Sequence, residues 1–264
     1  MKKFYVFIFC FIFFACATEE DPIKQEIKNK NAKDVYLLAN EALQKSSYER
    51  AIKLYNALEI SYPYGIYAQQ GMLDLAYAYY KNSNVAMALA TLDQFMLTYP
   101  TSINKDYALY LKGFINYKGE DNLLFKYFRQ DLSELDIDNI REAYINFNQL
   151  VKEFPNSKYS LKASSYMTDI INCLAKSEIN KASYYMSIKA YISAINHAQQ
   201  IILNYKASNY IEEALAIEIV AYRNLSQDQL SNDTWKILKL NFPNSKYLIT
   251  NWRKNDMSWY KIFN

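Results

Sequence analysis

The chain has 264 residues, 51% of them hydrophobic, and a formal net charge of +3, so it carries enough apolar mass to bury a core and is not a disordered polymer. Four glycines and five prolines are too few for the turns of a sandwich or barrel and leave no Gly-rich phosphate loop, so a nearly all-helical fold without nucleotide chemistry is expected. A single histidine, His197, argues against a His-rich metal site or a histidine triad; neither a metal, a cofactor nor a catalytic constellation is expected.

At the amino terminus Lys2 and Lys3 precede an uncharged run from Phe4 to Ala15, the pattern of a signal peptide over residues 1–15. The run is shorter than the roughly 20 apolar residues that a spanning helix needs. Phe13-Phe14-Ala15-Cys16 resembles the bacterial lipobox, although bulky Phe13 and Phe14 depart from its usual aliphatic and small residues. The resemblance implies that Cys16 becomes the first mature residue and carries a diacylglycerol thioether and an N-acyl chain, with Ala17 behind it favouring the outer membrane. An ordinary signal peptide cut near Ala15 or Ala17 is the competing reading. Residues 16–31, polar and containing Pro22, read as a flexible tether. Without Lys2 and Lys3 the balance is 28 basic to 27 acidic residues, or +1, which implies no nucleic-acid partner.

From residue 32 onward one element recurs: an aromatic, a proline and a small or polar turn. It stands at Tyr62-Pro63-Tyr64-Gly65, Tyr99-Pro100-Thr101-Ser102, Phe154-Pro155-Asn156-Ser157 and Phe242-Pro243-Asn244-Ser245, and without its proline at Tyr205-Lys206-Ala207-Ser208. Pro63 to Pro100 and Lys206 to Pro243 are both 37 residues. Twelve residues before each proline position stand Ala51, Ala88, Ala143, Ala194 and Ser231, and four residues later Tyr55, Leu92, Phe147, Ala198 and Trp235. A small residue followed one turn later, in every copy but the fourth, by a large one resembles the second helix of a tetratricopeptide repeat, where a close helix crossing needs the small side chain. Apolar residues at three- and four-residue spacing mark the first helices: Val35, Leu38, Ala39 and Ala42; Met72, Leu75, Ala76 and Tyr79; Leu109, Gly113 and Tyr117; Leu215, Ile219 and Tyr222.

The expected fold is all-α, a right-handed tetratricopeptide-repeat solenoid of five helix-turn-helix repeats near residues 32–65, 69–102, 106–157, 161–208 and 212–245, then a C-terminal cap that includes Trp252, Trp259 and Phe263. Two intervals are stretched. Lys118 to Asp138 forms the first insertion, closed by an N-cap at Asp136 and an Asp138–Arg141 pair on the next helix. The second is expected as a helix from Leu161 to Ser177 followed by a Tyr184-Tyr185 segment. Cys173, among Ile170, Ile171 and Leu174, reads as a small buried hydrophobe and not as a catalytic thiol.

Within that frame Tyr62-Pro63-Tyr64-Gly65-Ile66-Tyr67-Ala68-Gln69-Gln70, Leu73-Asp74-Leu75-Ala76-Tyr77-Ala78-Tyr79-Tyr80-Lys81, Asp106-Tyr107-Ala108-Leu109-Tyr110-Leu111-Lys112-Gly113 and Phe154-Pro155-Asn156-Ser157-Lys158-Tyr159 are similar to the tetratricopeptide lipoproteins of the outer-membrane β-barrel assembly machinery. The resemblance covers the mature chain. It implies a non-enzymatic, lipid-anchored subunit of the outer membrane that faces the periplasm and has three kinds of partner: unfolded outer-membrane proteins, the periplasmic domains of the barrel-forming subunit, and accessory assembly lipoproteins. The first two repeats would offer a groove to an aromatic C-terminal signal, lined by Tyr36, Asn40, Leu43 and Gln44, then by Gln70, Leu73, Tyr77, Tyr80 and Lys81. His197 would stand where relatives carry a basic residue against the barrel subunit. A periplasmic adaptor for peptidoglycan or division enzymes on the same repeat is the alternative.

Overall fold

Each aromatic of the recurring turn ends a helix in the same way. The backbone N–H groups of Tyr62, Tyr99, Phe154, Tyr205 and Phe242 donate to the carbonyls of Leu58, Phe95, Leu150, Ile201 and Leu238 at 2.8–2.9 Å. In the last four copies the serine three residues on closes the turn. Its N–H donates to the aromatic residue's carbonyl, and the hydroxyls of Ser102, Ser157, Ser208 and Ser245 accept from the N–H two residues later. The first copy instead uses Gly65 at φ 101°, a conformation open to glycine but strained for a side chain.

The computed structural model describes residues 22–118 and 137–249. Cys16, the signal peptide, Asp136, and Trp252, Trp259 and Phe263 lie outside the described residues. All regular structure among the described residues is helical, the expected all-α class built from helix-turn-helix repeats. The chain divides into two compact units between Asn82 and Ser83.

The first unit holds α1 (Pro22–Ile27), α2 (Ala32–Gln44), α3 (Tyr48–Ser61) and α4 (Ile66–Lys81). Asn31 caps α2, its side-chain oxygen accepting from the Asp34 N–H at 3.0 Å, which satisfies one of the otherwise orphaned first-turn donors. Val35, Ala39 and Ala42 of α2 meet Ala51, Leu54, Tyr55 and Leu58 of α3 and Leu75 and Ala78 of α4 in one core. Gly71 lets α4 approach α3: a Cβ there would stand 2.8 Å from the Leu58 Cδ2. The tether reading needs correction at residues 22–27. They form a helix because Ile23 and Ile27, four residues apart, both pack against that core, and Arg50 of α3 pairs with Glu26.

The second unit contains α5 (Val85–Thr98), α6 (Lys105–Lys118), α7 (Ile137–Glu153), α8 (Ser160–Ser187), α9 (Tyr191–Asn204), α10 (Ile211–Asn224), α11 (Asp228–Asn241) and α12 (Lys246–Ile249). The small-residue positions are buried throughout, from Ala51 to Ala194, and Ser231 fits because its hydroxyl donates to the Ile219 carbonyl at 3.0 Å. Phe147 is fully buried against Gly113, where a Cβ would come within 2.7 Å of the ring. Asp138 and Arg141 pair as expected, at 3.8 Å on an exposed face. Trp235, by contrast, remains half-buried.

Helix α8 differs from expectation, running unbroken for 28 residues through the segment read as a separate Tyr184-Tyr185 piece. It contains no glycine or proline, and its two halves have different hosts. Ala163, Ile170 and Leu174 belong to a core with α6 and α7; Ala175, Ile179, Ala182 and Met186 belong to a core with α9, α10 and α11. Burial along the whole length leaves no place for a break. Cys173, on the same helix, is half-buried, and burial pushes its thiol up to about 11, far from the range of a reactive thiolate.

Helices α2, α8 and α10 end without glycine. Ser46, Lys189 and Ser226 take left-handed backbone at φ 58–62°, and in each the next N–H reaches back five residues, as Ser47 does to the Ala42 carbonyl at 2.9 Å. This geometry usually recruits glycine, which explains how so few glycines serve so many turns. The fourth aromatic turn keeps its form without proline, so Lys206→Pro should rigidify the unfolded chain at a compatible site. A gain of about 0.5–1 kcal/mol in denaturant unfolding is expected.

Candidate functional site

On helices α2 and α4 the first unit gathers aromatic rings and amides around one carboxylate. The Tyr36 hydroxyl donates to Asp74 Oδ2 at 2.9 Å, and the Gln70 amide donates to Asp74 Oδ1 at 3.1 Å. Asn40, one turn beyond Tyr36, donates to the Tyr36 hydroxyl across a long 3.4 Å. The spacing explains the convergence: Tyr36 and Asn40 share one face of α2, and Gln70 and Asp74 share one face of α4. Tyr67 adds a ring 5.5 Å from Tyr36, and Tyr55 closes the floor at 6.2 Å.

The electrostatics follow from partial burial. Burial raises the Asp74 carboxyl above the ordinary carboxylate range, while the bonds from Tyr36 and Gln70 pull it back. Tyr36 is pushed up to about 12, first by burial and then by the adjacent carboxylate. The Tyr55 hydroxyl is driven up for the same two reasons; it lies near Asp74 and Asn40 without forming a hydrogen bond of normal geometry. Asp74 therefore organises the face as the acceptor shared by Tyr36 and Gln70. The half-buried Tyr36, Asn40, Tyr67 and Gln70 present aromatic area and amide groups, chemistry suited to an extended peptide.

Not every residue expected in the groove stands with that network. Leu73 is 0% exposed and is a core residue in this state, because its position on α4 turns it away from solvent. Leu43 packs against the core of the first unit. Tyr77 and Tyr80 are half-buried, and Gln44 and Lys81 are exposed; the Lys81 ammonium lies 5.9 Å above the Tyr48 ring. Asp74, at the centre of the network, is not one of the groove residues that the repeat pattern predicts. An aspartate four residues from Gln70 was a legible sign, but its bond to Tyr36, 38 residues away, was not.

His197 on α9 sits in a second cluster. Its Nδ1 is 2.6 Å from Glu178 Oε2, its ring stacks on Tyr185 at 5.2 Å and 8°, and Lys181 pairs with Glu178 at 2.8 Å. Burial opposes the charge on Glu178, but Lys181 and His197 outweigh it and lower the carboxyl. Among the described residues no group of three or more His, Cys, Asp or Glu side chains could hold a metal ion, and no helix is long and apolar enough to cross a membrane.

The family model described as outer membrane lipoprotein, YfiO, matches residues 28–238. The chain belongs to the YfiO family. A protein of Neisseria meningitidis serogroup B named outer membrane protein assembly factor BamD is 41% identical over 251 residues, 94% of each chain. Proteins of the same name from Vibrio cholerae and Haemophilus influenzae are 30% and 31% identical, covering 87% and 82% of this chain and 94% and 83% of their own. Among solved structures, tetratricopeptide-like repeats of a Podosopora anserina kinesin light chain align over 86% of this chain and 100% of their own, at 12% identity and a TM-score of 0.39, too loosely to argue from. As a YfiO-family chain it takes its place among relatives named as assembly factors, and the network on α2 and α4 lies inside the matched region.

Proposed function

We propose that this YfiO-family chain is a non-enzymatic, lipid-anchored scaffold that helps unfolded outer-membrane proteins fold and insert. Acylation of Cys16, with a diacylglycerol thioether and an N-acyl chain, holds it on the periplasmic face of the outer membrane, several acyl chains being enough for stable anchoring. The face formed by α2 and α4 receives an aromatic-ended segment of the unfolded substrate. Tyr36, Tyr67 and Tyr77 supply ring area, Asn40, Gln44 and Gln70 satisfy its backbone, and Lys81 attracts its carboxylate. Later repeats, with His197 among them, meet the periplasmic domains of the barrel-forming subunit, and accessory assembly lipoproteins join the same scaffold.

The observation that carries the substrate reading is the Tyr36–Asp74–Gln70 network, which fixes aromatic and amide groups on two adjacent first helices. The relatives' name, assembly factor, supports the wider role. Photo-crosslinking residues placed in cells at Tyr77 and at His197 test both. Unfolded barrel chains should be captured at residue 77 and the barrel-forming subunit at residue 197, and depletion should lower the level of folded barrels. Capture of a cell-wall enzyme at both positions, with barrels assembling normally, would overturn the proposal.

A further inference from the structure

The turn between α3 and α4 carries three large apolar side chains that the fold does not use. Ile60 is 82% exposed, Tyr64 86% and Ile66 74%, within seven residues that also include the exposed Pro63 and Gly65. Their apolar character is not required by the turn. At the same register, three residues before and three after the proline, the third repeat has Lys152 and Lys158, both exposed, and its aromatic cap forms identically. The second repeat again carries apolar residues at these positions, Leu97 at 83% and Ile103 at 90%.

The position of this turn along the chain narrows what covers it. Tyr62, at its start, donates through its hydroxyl to the Lys30 carbonyl, so the turn lies against the segment joining α1 to α2. Helix α1, six residues and about 9 Å long, is held on the first unit by Ile23, Ile27 and the Glu26–Arg50 pair. Only five residues separate Pro22 from Cys16, six steps with a reach of about 20 Å at full extension. An acyl group on Cys16 therefore keeps the first unit within one short span of a bilayer, and the Tyr62–Lys30 bond sets the turn beside the segment that follows α1.

We infer that the Ile60–Tyr64–Ile66 turn inserts into the headgroup region of the bilayer to which Cys16 is anchored, so that lipid and turn together orient the first unit on the membrane. Aromatic and aliphatic side chains on a polar-flanked protrusion are the residues that partition to such a boundary. This inference rests on the proposed acylation of Cys16.

The test uses the acylated mature protein purified from membranes, with an environment-sensitive fluorophore on Tyr64→Cys or, as control, on exposed Gln44→Cys. The protein is incorporated into vesicles of phosphatidylethanolamine and phosphatidylglycerol containing lipids with a quencher on the acyl chain. The label at residue 64 should shift to shorter wavelength and lose most of its emission, and the label at residue 44 should do neither. Adding Ile60→Ser and Ile66→Ser, both at exposed sites outside the core, should restore the emission at residue 64 while circular dichroism stays unchanged. Mass spectrometry of the same sample reports acylation. An acylated, vesicle-bound chain with an unquenched label at residue 64 would overturn the membrane-contacting turn alone. An unacylated chain recovered in the soluble fraction would overturn the anchoring and this inference with it.

Discussion

Glu218→Gln is expected to stabilise the protein by about 3 kcal/mol at pH 8, and to leave it near the wild type below about pH 4.5. Glu218 lies on α10 and is 6% exposed. Burial raises its carboxyl from the ordinary 4.5 to about 7, and its hydrogen bond with Gln199 offsets only part of that. The folded state thus holds a proton between these two pH values that the unfolded chain has released. Wild-type stability attributable to this group is complete below the unfolded pKa and declines as pH rises through about 7, because ionising the buried carboxylate then opposes folding. Glutamine keeps the shape and a hydrogen-bonding amide but cannot ionise, so the penalty disappears. Glu213, also raised by burial, bends the wild-type profile in the same direction, so the informative quantity is the difference between variant and wild type. Chemical denaturation of both proteins from pH 4 to pH 9 measures it, and a constant difference across that range would show that Glu218 ionises freely in the folded state. The Gln199 amide also donates to the Tyr222 hydroxyl at 3.2 Å, so local packing of α9 on α10 should be retained in the variant.

Asp74→Ala is the second large effect, and it concerns function as well as stability. Truncation removes the acceptor of both Tyr36 and Gln70. Two partly buried donors are then left to find water or each other, which costs about 1–3 kcal/mol. The Tyr36 ring, held against Tyr67 and Tyr55, also loses the bond that fixes its angle. Weaker capture of unfolded barrel chains by a crosslinker at Tyr77 is expected, together with the drop in stability. Asp74→Asn separates the two contributions. It retains one acceptor oxygen and removes a charge that burial disfavours, so its stability should stay within about 1 kcal/mol of the wild type. If Asn restores stability but not capture, the carboxylate itself positions the face; if Ala captures substrate normally, the network has no part in binding.

The architecture was readable because its signals are local and repeat. An aromatic residue that ends a helix, a serine that closes the turn, and an alanine at a helix crossing each act through residues within one turn or one hairpin. The copies confirm one another even where one has drifted, as Tyr205-Lys206 shows by capping without proline and Ser231 by bonding its own hydroxyl to the Ile219 carbonyl. Family membership was legible for the same reason, since the strings around Tyr62–Gln70 and Leu73–Lys81 lie within these repeats.

What lies beyond one hairpin was decided by the tertiary structure. Periodicity placed Leu73 and Asp74 side by side on α4 without saying which would be sealed and which would meet Tyr36, because that depends on helices distant in sequence. Residues 22–27 looked like tether because their composition is polar, and they fold because Ile23 and Ile27 find a core supplied by α2 and α3. Helix α8 is continuous because two separate cores bury its two halves. The sequence by itself determined the recurring turns and the small-residue helix crossings, since backbone hydrogen bonding and side-chain size act at short range. Burial, the Asp74 and Glu218 environments, and the exposed turn at Ile60, Tyr64 and Ile66 needed the folded chain, because desolvation and through-space partners exist only once distant segments have met.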